Sequence, residues 1–159
     1  MKKLVSICVG LVVAPFILSS LALGQHQHGG MSMGGSMKME TKDVLVEGVK
    51  VSFMVMANDE HLKMLKEMKM KEDIQPGTTH NITVSLTDEK TQKPITDAQV
   101  TMKVVDPKGK DQIKPLKYDG DMKSYDAYFD LKEKGKYQVL ILFKVGEQKR
   151  TAGIYYEVK

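Results

Sequence analysis

Residues 135–158 read GKYQVLILFKVGEQKRTAGIYYEV. Tyr137, Val139, Ile141 and Phe143 recur at every second position, and so do Ile154, Tyr156 and Val158 after the break at Gly146-Glu147. A period of two is the signature of a strand with one buried face, and a glycine turn between two such runs makes a hairpin. Strands are therefore predicted over Lys136–Val145 and Gln148–Val158, with this hairpin central to the core.

Working towards the N-terminus, the same pattern repeats. Strands are predicted near His80–Leu86, Gln99–Val105, Ile113–Tyr118 and Tyr125–Leu131, separated by Asp106-Pro107-Lys108-Gly109, Asp119-Gly120-Asp121 and Lys134-Gly135. These separators are rich in residues that favour turns. Further upstream, Asp43–Met56 alternates as one long strand or two short ones joined at Glu47-Gly48, with Met54 and Met56 opposite Val49, Val51, Phe53 and Val55. Between that region and His80, the residues His61, Met64, Leu65 and Met68 fall at i, i+3, i+4 and i+7, which predicts a helix over about 59–71 capped by Asn58 or Asp59 and stopped by Gln75-Pro76-Gly77. Many short strands with turn-rich separators indicate a mainly β protein, an immunoglobulin-like antiparallel β-sandwich with one short α-helix and a flexible N-terminal arm.

The chain opens with Met1-Lys2-Lys3, an apolar run from Leu4 to Leu18 and the small residues Ala22 and Gly24. That is the layout of a bacterial secretory signal peptide over residues 1–24, cut before Gln25, so the expected location is periplasmic or secreted, with no membrane span after processing. The one cysteine, Cys8, lies inside the leader, which leaves the mature protein without disulfides, cysteine nucleophiles or thiolate metal sites. Lys2 and Lys3 leave with it, so 22 basic side chains face 20 acidic ones, interleaved and without the basic block that nucleic acid would require. One domain, 43–159, is expected to follow an arm at 25–42.

That arm contains His26, His28, Met31, Met33, Met37 and Met39 among Gly and Ser, with no apolar periodicity. Such a stretch cannot bury enough to order itself, so its methionines have no core to fill. Thioethers suit Cu(I), imidazole suits Cu(I) and Cu(II), and neither competes well for Mg²⁺ or Ca²⁺. Copper is the metal these residues favour, as Cu(I) first and as Cu(II) second. In the domain, Met54, Met56, His61, Met64 and Met68 form a second candidate group if strand and helix pack together, with Met-lined core as the alternative. His80, at a strand start, and Met122, in a loop, complete the candidate metal ligands.

Asn81-Ile82-Thr83 matches a glycosylation acceptor but falls within a predicted strand. Ser85 and Ser124 sit in no nucleophile elbow, and no paired-carboxylate motif or phosphate loop is present, so the expectation is a protein without catalytic activity.

The segments HNITVSLTDEKTQKPITDAQVTMKVVDPKGK and GKYQVLILFKVGEQKRTAGIYYEVK, spread over the second half of the chain, resemble the YtkA-like periplasmic domains. The resemblance implies a small β-sandwich exported by bacteria that handle copper or assemble respiratory oxidases. Members often carry a Met-x-x-Met-x-His-like segment before a late strand. Here that stretch is Gly120-Asp121-Met122-Lys123-Ser124-Tyr125, where Met122 alone matches. The function expected is copper sequestration or transfer, with a copper-accepting or copper-exporting periplasmic protein as partner. The alternative is a protein-binding module whose methionines serve as core or contact surface.

Overall fold

The computed structural model describes residues 41–159. The predicted leader and the candidate arm ligands His26, His28, Met31, Met33, Met37 and Met39 lie outside the described residues. Eight antiparallel strands run as β1 Thr41–Val46, β2 Val49–Ala57, β3 His80–Asp88, β4 Gln99–Val105, β5 Asp111–Asp119, β6 Ser124–Phe129, β7 Gly135–Val145 and β8 Gln148–Val158, and one helix, α1 Asn58–Glu67, follows β2. The spatial order is β1-β2-β3-β6-β5-β4-β7-β8. Strand β5 joins the two halves: Asp111–Leu116 pair with β4, while only Lys117–Asp119 pair with β6. Pro115, which has no N–H to offer, sits in the part of β5 with a neighbour on one side only.

The sheet thus folds over on itself into a nearly closed sandwich. Its outer strands approach each other, and Lys42 Nζ donates to the Tyr155 carbonyl at 2.7 Å while Arg150 pairs with Glu47 at 3.1 Å. The predicted break at Glu47-Gly48 is a two-residue hairpin turn in which both residues have positive φ, 45° and 77°. Strand β1 begins at Thr41, so the last two residues assigned to the arm belong to the sheet.

The interior collects the alternating sets anticipated for β2 and β7 together with the inward residues of the other strands. Val51, Phe53, Ile82, Val84, Met102, Phe129, Tyr137, Val139 and Phe143 are all fully buried there. Each side chain of this size gives about 1.5–3 kcal/mol on burial. Two tyrosines also tie loops to this core through their hydroxyls. Tyr125 Oη donates to the Ile95 carbonyl and accepts from Ala98 N, both at 2.9 Å. Tyr137 Oη does the same with the carbonyl and N–H of Glu133.

The helix departs from expectation at both ends. Ala57 is the N-cap residue and has no side-chain oxygen to cap with, and Asn58 is instead the first helical residue, donating through Nδ2 to Thr78. At the other end the helix stops at Glu67. Lys69 takes the left-handed conformation with φ 55°, Lys69 N donates to the Lys66 carbonyl and Met70 N to that of Leu65. That pair of bonds is a Schellman motif, built here without glycine.

Replacing Tyr125 with Phe removes a buried hydroxyl that serves two backbone groups and is expected to cost about 1–3 kcal/mol, read as a lower urea midpoint at unchanged slope. An unchanged midpoint would show that those backbone groups find other partners.

Candidate metal site

Helix α1 lies on the outer face of β2 and β3 and makes β3 a strand buried on both sides. Ile82, Val84 and Leu86 point into the sandwich; Asn81 and Thr83 point outward and are buried all the same. A buried polar face must be hydrogen-bonded, and this one is: Thr83 Oγ1 donates to Asn81 Oδ1, and Asn81 Nδ2 donates to Asp126 Oδ2, both at 2.8 Å. The ladder sets Met54 opposite Thr83 and Met56 opposite Asn81, and on the other side Asp126 opposite Thr83 and Tyr128 opposite Asn81.

His61 projects from α1 onto this surface and is 5% exposed. Its Nδ1 lies 3.0 Å from the Tyr128 hydroxyl, and the two rings are tilted at 5.5 Å. This contact orients the imidazole; in the tautomer whose Nδ1–H donates to the Tyr128 oxygen, Nε2 carries the free lone pair. Burial holds the His61 imidazole below its ordinary value, opposed by the Asp126 charge. Burial pushes Asp126 up, against the Asn81 hydrogen bond and His61. Burial, then the charges of Asp126 and Asp73, push the Tyr128 phenol up to about 12, so it is protonated at neutral pH.

His61 also lines a cleft of about 450 Å³. Leu65 and the segment through Met70 and Asp73 form one side, Thr83, Asp126 and Tyr128 the floor, and Asp119, Met122 and Ser124 the other side. Two local devices bring the methionines there. The left-handed Lys69 turns Met70 away from the helix axis, and Asp119 Oδ1 accepts the N–H groups of Asp121 and Met122 to shape the turn carrying Met122. Both methionines are partly exposed.

The other candidates are placed differently. Met56 and Met64 are buried beneath the helix, Met54 is half-buried beside them, and Met68 at the helix end is 50% exposed; none of the four lines the cleft. His80 lies on the opposite face of β3 from His61, with Ile82, and its ring edge meets Tyr156 at 6.0 Å. Thr79 Oγ1 accepts the Leu131 N–H and sits 2.8 Å from His80 Nδ1. Among the described residues no three His, Cys, Asp or Glu side chains are grouped to hold a metal.

Sequence reasoning passed over Met70, Asp126 and Tyr128. The alternation that buries Tyr125 and Phe129 already puts Asp126 and Tyr128 on the other face. Met64, Met68 and Met70 cannot all share one helical stripe, which marks Met70 as the residue that leaves it.

The geometry defines a small β-sandwich domain with a soft-donor cleft under its helix. No family model matches the chain, and no curated protein matches it. Among solved structures it is similar to FetP of uropathogenic Escherichia coli, expressed in the periplasm of E. coli, with a TM-score of 0.57 at 9% identity over 77% of this chain and 97% of that one. A copper-bound variant of FetP gives 0.54 at 10% identity over 73% and 93%. A DUF4426 family protein from Pseudomonas aeruginosa gives 0.53 at 17% identity over 74% and 94%. These likenesses establish the fold. Among the described residues no helix is long and apolar enough to cross a membrane.

Burial lowers the affinity of both His61 and His80 for protons. The unfolded chain protonates these rings below about pH 6.5 while the folded one resists, so their contribution to stability is intact above that value and falls as the pH drops through it. Asp126, raised by burial, acts in the opposite sense. The expected result is an NMR titration midpoint for His61 below the ordinary imidazole value, and a smaller acid-side loss of stability in His61→Gln. A midpoint at or above the ordinary value would contradict this burial argument.

Proposed function

We propose that this is a periplasmic, non-catalytic copper-binding protein that sequesters or hands on copper through methionine and histidine ligands. The observation that carries the reading is that a buried imidazole and two partly exposed thioethers line one cleft. The donors come from three separate elements, two of them shaped by a local turn. Methionines whose only role is packing are buried, as Met102 is in the core at 0% exposure. Thioethers bind Cu(I) without losing a proton and form no disulfides, which suits an oxidising compartment.

The arm supplies the second half of the mechanism. His26, His28, Met31, Met33, Met37 and Met39 act as a collector, and their tether raises the effective concentration of a captured ion near the domain. Transfer then proceeds by exchange of one thioether for another, towards the cleft or towards a copper-accepting or copper-exporting partner. The copper-bound FetP variant, which shares the fold, supports the reading.

A second reading, a protein-binding module, is favoured by the outward-facing Leu140, Leu142 and Tyr155 on β7 and β8, which are exposed.

The test is a Cu(I) titration of the mature protein against a competing chelator, beside a full-length variant with the six arm ligands replaced by Ser. Binding in the parent that falls in stoichiometry in the variant is the expected result. No competitive binding in either would remove the copper reading in favour of the partner-binding module.

A further inference from the structure

We infer that the cleft beneath α1 is a fixed Cu(I) site whose ligands are His61 Nε2 and the thioether sulfurs of Met70 and Met122. This inference rests on the copper reading and gives it a ligand set, one different from the β2 and α1 methionine group that the sequence suggests.

Four observations converge on it. First, the three donors line the same cleft although each belongs to a different element. Second, the Tyr128 hydroxyl holds His61 by Nδ1 at 3.0 Å; an imidazole held at one nitrogen is oriented to bind through the other. Third, Ser124, 2% exposed, lines the cleft with its Oγ buried and without a hydrogen-bond partner. A buried hydroxyl without a partner costs free energy, and a water or other hydrogen-bonding group entering with an occupant of the cleft would relieve it. Fourth, among the described methionines Met56, Met64 and Met102 fill space and Met54 and Met68 lie outside the cleft, whereas Met70 and Met122 reach it on turns where no core needs them, one of them after a lysine with φ 55°.

The chemistry of the lining selects the ion. Asp73, Asp119, Asp121 and Asp126 outnumber Lys69 and Lys71, which favours a cation. The carboxylates are not grouped with His61 as a three-ligand site, so a hard divalent ion gains no set of oxygens there. One imidazole and two thioethers suit Cu(I), which accepts low coordination with soft donors. Asp126 is tied to Asn81 and acts on the site through its charge.

The test uses the full mature chain with the six arm ligands replaced by Ser, so that only the domain can respond, and Cu(I) alone as probe. One equivalent is expected to bind, with shifts of the Met70 and Met122 methyl signals and of the His61 ring protons by NMR. Met70→Leu and Met122→Leu, nearly isosteric changes, are each expected to weaken binding by roughly tenfold or more, an effect at least as large as those seen on removing outer-shell partners of metal ligands. Met102→Leu, in the core, is expected to leave it unchanged. Retained binding that neither cleft substitution weakens would overturn the ligand assignment while leaving copper binding intact. Loss of all binding when the arm ligands are removed, with the parent still binding, would overturn the fixed site and assign copper to the arm. Absence of binding in the parent would overturn both readings.

Discussion

Burial of β3 on both faces is the constraint from which the rest of this molecule follows. A strand in an antiparallel sandwich ordinarily turns one face to water, and Asn81 and Thr83 are residues suited to that exposure. Here α1 lies over them, so their polar atoms lose water and must find one another. The chain from Thr83 to Asn81 to Asp126 does this with side chains alone, and it binds β3 to β6 across the outer face just where the helix needs a fixed floor. A helix of ten residues has little stability of its own, so its position depends on this floor and on the few side chains it buries.

A second, smaller cluster results, chemically unlike the first. The interior of the sandwich is apolar apart from tyrosine hydroxyls that reach the backbone of neighbouring loops. The outer cluster mixes Met56, Met64 and Leu65 with His61, Asn81, Thr83 and Ser124. It ends in a cleft lined by the segment after α1 and by the turn between β5 and β6. Both features rest on backbone that is unusual for the residues present: Lys69 and Lys123 have φ of 55° and 52°. Non-glycine residues in that region cost of order 1–2 kcal/mol, and the same conformation occurs away from the cleft at Glu47 and Gln92.

Fold and function separate cleanly here. The likeness to FetP and to the DUF4426 protein covers most of those chains at 9% to 17% identity and establishes a shared architecture. Architecture alone does not carry an activity. What argues for copper is the donor chemistry of this chain's own residues, and the YtkA-like resemblance of its second half finds no family model to support it.

Most of the strands were legible because alternation is a local property. Tyr137 to Phe143, Val49 to Phe53 and Ile82 to Leu86 each declare a buried face without reference to any neighbour, and the turns at Gly48 and Gly146 declare themselves through residues that tolerate positive φ. The helix was legible too, apart from its cap residue and its C-terminal end, where a left-handed lysine leaves no compositional mark. The histidines and methionines were visible as soft donors, but their grouping was not. Whether His61 shares a site with Met122 depends on which sheet face the helix covers, and β6 and its preceding turn lie far along the chain from His61. The sequence by itself determined the strands, the faces and the chemistry of the donors, because these follow from neighbouring residues and side-chain type. Only the tertiary structure decided that His80 stands apart and that Met70 and Met122 share a cleft with His61, because contacts between distant segments depend on strand order and on where a chain turns.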